Sequence, residues 1–116
     1  MAKNDYFVIV YRILTYLYEC FQSGEQAELD MISPKALKIN DGYWRNVFDS
    51  ISDENYITGV RQITRLGCPS ANISLSEIKI KEKGIEYLQE NHMMKKAKEF
   101  LEIWEEAQRE ITDNTK

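Results

Sequence analysis

Histidine occurs once in this 116-residue chain, cysteine and proline twice each, and the five glycines are scattered. Each scarcity removes a class of chemistry. A phosphate-cradling loop needs clustered glycines, whereas Gly24, Gly42, Gly59, Gly67 and Gly84 stand far apart. The lone His92 has no cysteine, serine or carboxylate placed around it by a catalytic motif, so no active site is expected. Cys20 and Cys68 make neither a metal-ligand spacing nor a disulfide framework and read as free thiols of a reducing cytosol. Glu99, Glu102, Glu105, Glu106 and Glu110 fall at helical spacing and read as solvated surface, so neither metal nor cofactor is expected.

Long apolar runs are missing as well. The greasiest stretch, Tyr6 to Phe21, is broken by Arg12 and Glu19 and falls short of the roughly 20 apolar residues that cross a bilayer. The N-terminus shows neither a charged leader region nor a small-residue cleavage site, which points to a cytoplasmic protein without a membrane partner. Positive charge is also short, with a net charge of -4. Affinity for nucleic acid at large comes from Lys and Arg at phosphates, so a general nucleic-acid coat is excluded. The balance is uneven along the chain: residues 33–75 carry five basic against four acidic residues, and every other segment is net negative.

What is present is organised around residues 41–66. Trp44, Val47, Phe48 and Ile51 recur at the spacing of one helical face, leaving Arg45, Asn46, Asp49, Ser50 and Ser52 on the other. Asn40 or Asp41 can cap the start, and Asn55 can take the left-handed conformation that ends a helix. Tyr56, Ile57 and Thr58 then turn aromatic and β-branched, as strands do.

Around this centre the chain reads as follows. Residues 6–21 form a helix with two apolar faces, one of them bearing Phe7, Tyr11 and Tyr18, and Gly24 ends it. Residues 29–32 are a candidate short strand. Ser33-Pro34 starts a brief helix to Ile39, with Lys35 and Lys38 outward. Two strands joined by a loop at 66–72 make a wing; the second, 73–80, slips its apolar phase near Ser76, where a bulge or break is expected. Residues 81–91 read as a helix in which Gly84 permits close packing. From His92 to about Thr112 a last helix carries Met93, Ala97, Phe100, Trp104, Ala107 and Ile111 at alternating steps of four and three, a heptad seam.

The expected fold is therefore mainly α (α+β), a winged helix-turn-helix with a two- to three-stranded wing sheet and an appended long C-terminal helix. Residues 1–91 would be the winged-helix part, with 92–116 packing on the first helix or in a dimer interface as part of the same domain. The runs Trp44…Phe48…Ile51…Asn55-Tyr56-Ile57 and Ile78-Lys79-Ile80-Lys81-Glu82-Lys83-Gly84-Ile85-Glu86-Tyr87-Leu88 resemble the YjcQ family of small bacterial and phage proteins, over roughly residues 6–100. That resemblance implies a winged-helix fold and a transcription-regulator role. The chain departs from the family's pattern at Lys81, where a helix-capping Thr is usual, and at Asn55, where a Gly usually precedes the Tyr.

Duplex DNA is accordingly one expected partner. Lys35, Lys38, Tyr43, Arg45 and Asn46 would meet it from the two-helix unit, and Arg61 and Arg65 from the strand and wing. The alternative is a protein-interaction or dimerisation module. Its working surface would be Phe7, Tyr11 and Tyr18 with Ala97, Phe100, Trp104, Ala107 and Ile111, and its partner a second copy in a homodimer.

Overall fold

Apolar residues recur through the first helix on more than one side, and burial follows them. In α1 (Tyr6–Ser23), Val8, Ile9, Val10, Ile13, Leu14 and Leu17 are all buried, so this helix is the axis of the core. The computed structural model describes residues 6–63 and 72–114, excepting the side chains of 62, 63, 72 and 106–114. After α1 come a 3-10 turn (Leu29–Ile32), α2 (Pro34–Leu37), α3 (Asp41–Asp53), β1 (Ile57–Thr58), β2 (Arg61–Ile63), β3 (Asn72–Ser74), β4 (Lys79–Ile80), α4 (Glu82–Glu90) and α5 (His92–Asn114). The fold is mainly helical α+β.

The expected stop and start signals act where the residues place them. Gly24, at φ +76, ends α1 with its N–H donating 2.9 Å to the carbonyl of Cys20. Ser33 Oγ accepts from the Ala36 N–H at the front of α2, with Pro34 in the first turn. Asn55 takes the left-handed conformation at φ 65 just past α3.

Residues 29–32 are a 3-10 turn and not the strand expected of them. Local hydrogen bonds explain the difference: the Met31 N–H donates to the carbonyl of Glu28, and the Ser33 hydroxyl donates to the carbonyl of Asp30. With backbone groups satisfied inside the segment, nothing recruits it to a sheet edge. Only Ile32 reaches the core, while Leu29 and Met31 stay exposed.

The strands form two antiparallel ladders, β2–β3 nested inside β1–β4. Ile57 pairs with Ile80 and Arg61 with Ser74, so residues 75–78 oppose only residues 59–60. This two-residue excess is the phase slip expected near Ser76. A turn closed by the Ile78 N–H on the carbonyl of Leu75 absorbs it, and Leu75, Ile78 and Ile80 are all buried as a result. Gly59, at φ +90, lies so close to Glu77 that a Cβ there would overlap the Glu77 carbonyl.

Helix α5 packs on α1 and α4 through Met94 and Ala97, both buried. No described helix is long and apolar enough to cross a membrane.

Candidate nucleic-acid interface

Five of the residues expected to read DNA sit on α2, α3 and the turn between them, and local chemistry holds that turn. Lys38 ends α2 in the left-handed region at φ 59, its N–H donating back to the Lys35 and Pro34 carbonyls. Two residues later the Asn40 side chain accepts from the Tyr43 N–H at 2.8 Å and starts α3. Asp41 lies in the first turn, where a carboxylate favours the positive end of the helix dipole.

Helix α3 buries Val47, Phe48 and Ile51 completely. Trp44 is half-buried, its ring 5.0 Å from that of Phe48, and its indole N–H donates 2.8 Å to the carbonyl of Ile32. The tryptophan thus joins α3 to the segment that precedes α2. A second tie comes from the other side, where Tyr6 Oη and Ser50 Oγ lie 2.9 Å apart and link the start of α1 to α3.

With its inner stripe fixed, α3 turns Asn46 outward. Lys35 and Lys38 are exposed beside it on the preceding helix and turn, while Tyr43 and Arg45 are half-buried. Tyr43 also packs against the core, so its ring has a structural task as well. Negative charge shares the region: Asp53 and Glu54 are exposed and Asp49 is half-buried. Five of the seven expected residues therefore belong to two consecutive helices and one turn. Arg61 stands apart on β2, its side chain 73% exposed and 3.1 Å from the Glu77 carboxylate. The partner Glu77 had no sequence signal, because the bulge that sets its position depends on ladder register. Arg65 lies outside the described residues, as does Cys68.

The interface residues divide. Phe7, Tyr11 and Tyr18 are half-buried and pack against the core, and Tyr18 Oη accepts a long 3.4 Å hydrogen bond from Gln89. Ala97 is buried within the single chain, on the side of α5 that meets the core together with Met94. Phe100 is half-buried and Trp104 exposed, and the side chains of Ala107 and Ile111 lie outside the described ones.

Two concavities flank α1. One of about 260 Å³ lies between its end and β4, lined by Leu17, Cys20, Phe21, Ile78 and Ile80. The other, a groove of about 560 Å³, runs between α1 and α5 past Tyr11, Thr15, Met31, Leu37 and Leu101. Among the described residues no group of three or more His, Cys, Asp or Glu side chains is placed to hold a metal ion.

Half-buried tyrosines mark the junction of α3, β1 and α4. Tyr56 and Tyr87 stack with centroids 4.3 Å apart and planes 20° from parallel. Burial, and then the neighbouring Tyr56, Tyr6 and Glu54, push the Tyr87 phenol up to about 12. Burial followed by Glu54 and Tyr6 raises Tyr56 as well.

The arrangement is that of a small, mainly helical α+β protein in which a helix pair is followed by nested strand pairs and two closing helices. Residues 11–106 match the family model described as YjcQ protein, and the chain belongs to the YjcQ family. The resemblance carried by the Trp44–Ile57 and Ile78–Leu88 runs is borne out to that extent. No curated protein and no solved structure matches the chain.

Proposed function

We propose that this chain is a cytoplasmic, non-enzymatic DNA-binding regulator of winged-helix type, of bacterial or prophage origin. One observation carries the reading. Helix α3 buries Val47, Phe48 and Ile51 and leaves Asn46 exposed, with Lys35 and Lys38 exposed on the helix and turn in front of it. A recognition helix needs that division, because its inner stripe fixes the angle at which the polar residues enter a groove. Asparagine can pair with an adenine edge, and the lysines supply phosphate contacts that set register. The order of the three helices and the nested ladders after them also agrees with a wing next to the helix pair.

The test is fluorescence anisotropy of a labelled random duplex at rising salt. Affinity should fall steeply with salt, and Lys35→Ala with Lys38→Ala should flatten the log–log slope by up to about 2, near 0.9 for each phosphate left without its lysine. Asn46→Ala should leave non-specific affinity alone and act only on a selected operator. Affinity that does not change between low and high salt would remove duplex DNA from the reading.

A second reading, a protein-interaction module acting as a homodimer, is favoured by the exposure of Ile103 at 67% and Trp104 at 39% on α5 and by the net charge of -4.

A further inference from the structure

The sheet of β1 and β4 has two strands, and β4 keeps one edge without a neighbouring strand. Residues 29–32, which could have supplied a third, close a turn on themselves instead. Register decides which backbone groups the open edge carries. The Lys81 N–H donates 2.9 Å to the carbonyl of Tyr56, so Tyr56–Lys81 and Thr58–Lys79 are the bonded positions of this antiparallel pair, and Ile57–Ile80 is the unbonded one between them. The N–H and C=O of Ile80 therefore point away from β1, towards the open side.

That side is a cavity. The space of about 260 Å³ between the end of α1 and β4 is walled by Ile78 and Ile80 on the strand, Leu17 and Phe21 on the helix, and residues 24–27 across from them. Side chains fix this far wall: Gln26 Nε2 donates 3.1 Å to the carbonyl of Ser76, and Tyr16 Oη accepts from the Glu28 N–H at 2.8 Å. Among the described residues no backbone hydrogen bond joins 24–28 to β4. The Gln26 amide does for Ser76 what the N–H of an adjacent strand would do, and Ile80 has no such neighbour. Backbone donors and acceptors left on a strand edge favour any chain that can pair with them.

The side chains of the edge select the occupant. Ile80 is buried, whereas Lys79 and Lys81 on either side of it are exposed, and among the described residues neither lysine is in an ion pair. Because strand side chains alternate, the residue of an added strand opposite Ile80 lies on the apolar side with Leu17 and Phe21, and its two neighbours lie beside the lysines. A second copy is a poor occupant: its own β4 edge is equally recessed, and pairing Ile80 with Ile80 would set Lys79 of each copy on Lys81 of the other. We propose that the open edge of β4 binds an extended peptide of another protein by strand addition, an apolar residue lying against Ile80 between two carboxylates that meet Lys79 and Lys81. Glu25, which lines the cavity from the loop side, disfavours a third carboxylate. The proposal stands independently of DNA binding.

The probe is a fluorescein-labelled pentapeptide, Thr-Glu-Val-Glu-Thr, titrated with the full chain at low salt and followed by anisotropy. It should bind saturably. N-methylation of the valine nitrogen removes the donor to the Ile80 carbonyl and should weaken binding about tenfold or more. The peptide Thr-Lys-Val-Lys-Thr should not bind, and Lys79→Glu with Lys81→Glu should reverse the preference between the two peptides, an outcome that a folding defect would not give. Amide hydrogen exchange read by NMR supplies a measurement without substitution, since the Ile80 N–H should exchange about tenfold more slowly, or slower still, when the peptide is saturating. Absence of saturable binding up to about 1 mM protein, equal affinity of the N-methylated peptide, or an Ile80 exchange rate that the peptide does not alter would each overturn the proposal. Duplex DNA is not in these titrations, so their failure leaves the DNA reading as it was.

Discussion

The indole N–H of Trp44 and the backbone carbonyl of Ile32 are hydrogen-bonded at 2.8 Å, across the break between the 3-10 turn and α3. Because Ile32 immediately precedes the Ser33 cap of α2, this bond and the Trp44–Phe48 ring contact together set how the helix pair sits. Trp44→Phe keeps an aromatic ring but leaves the Ile32 carbonyl without its donor. The expected cost is about 1–2 kcal/mol, a missing hydrogen bond with partial desolvation of its acceptor. Urea denaturation followed by circular dichroism measures it; an unchanged midpoint would show that the ring alone positions α3.

Gly84 makes the closest approach of α4 to the sheet. A Cβ there would overlap the carbonyl of Tyr56 and press on Ile80 Cγ1 at 3.0 Å. The same Tyr56 carbonyl accepts from the Lys81 N–H at 2.9 Å, the contact that docks the front of α4. Helix propensity favours Ala over Gly by about 1 kcal/mol, while overpacking costs about 1–3 kcal/mol and here also strains a backbone hydrogen bond. Gly84→Ala should therefore lower the urea midpoint. A rise would mean that the α4–β1 contact yields freely.

Lys81 occupies the position before α4 in an extended conformation, and its side chain caps nothing. The departure from the family's usual Thr thus leaves first-turn N–H groups without a side-chain acceptor. Lys81→Thr should add about 1 kcal/mol of stability through a new cap. No gain in thermal midpoint would imply that water or backbone already satisfies those donors as well as a hydroxyl can.

The sequence showed most of this fold, and where it misled, the cause was local hydrogen bonding or register. The α3 stripe was legible because burial demands a 3.6-residue period that Trp44, Val47, Phe48 and Ile51 keep. Gly24, Ser33-Pro34 and Asn55 were legible because each answers a stereochemical need at a helix end. Residues 29–32 were not, since alternation alone cannot show that Ser33 and Glu28 will close a turn. Of the proposed reading residues, Lys35, Lys38 and Asn46 were placed outward by helix phase. The pairing of Arg61 with Glu77 was hidden because it spans the bulge. In α5 the heptad seam predicted an apolar stripe but not which side meets the core: Met94, off the strict seam, is buried, whereas Trp104 on it is exposed.

Tyr87 makes stability depend on alkaline pH. Its phenol is held up to about 12 in the folded protein, mainly by burial and then by Tyr56, Tyr6 and Glu54. An unfolded tyrosine ionises near 10, so between about pH 10 and 12 the unfolded chain releases a proton that the folded chain keeps. The stabilisation is complete below about pH 10 and is lost as pH rises through the folded value. The raised Tyr56 acts in the same direction. Urea midpoints should therefore fall from roughly pH 9 to pH 11, and Tyr87→Phe should flatten the fall. An equal fall in the variant would assign the effect to other groups.

Met94 and Trp104 lie ten residues apart on α5, and their burial separates what each can contribute. Met94 is fully enclosed between α5 and the rest of the core, so Met94→Ala leaves a cavity and should cost about 2–5 kcal/mol of folding stability. Trp104 is 39% exposed in the single chain, and truncating it there removes less burial than a core aromatic, whose loss costs about 3–5 kcal/mol. If the α5 surface bearing Ile103 and Trp104 meets a second copy, as the homodimer reading holds, Trp104→Ala should instead weaken self-association strongly while the midpoint of the dilute monomer shifts little. Concentration-dependent melting separates the two effects, because a dimer's midpoint rises with protein concentration and a monomer's does not. The wild type should show that rise, Met94→Ala should lower the whole curve, and Trp104→Ala should flatten it. A flat wild-type curve, or a Trp104→Ala curve lowered in parallel like that of Met94→Ala, would make Trp104 a residue of the monomer's own packing.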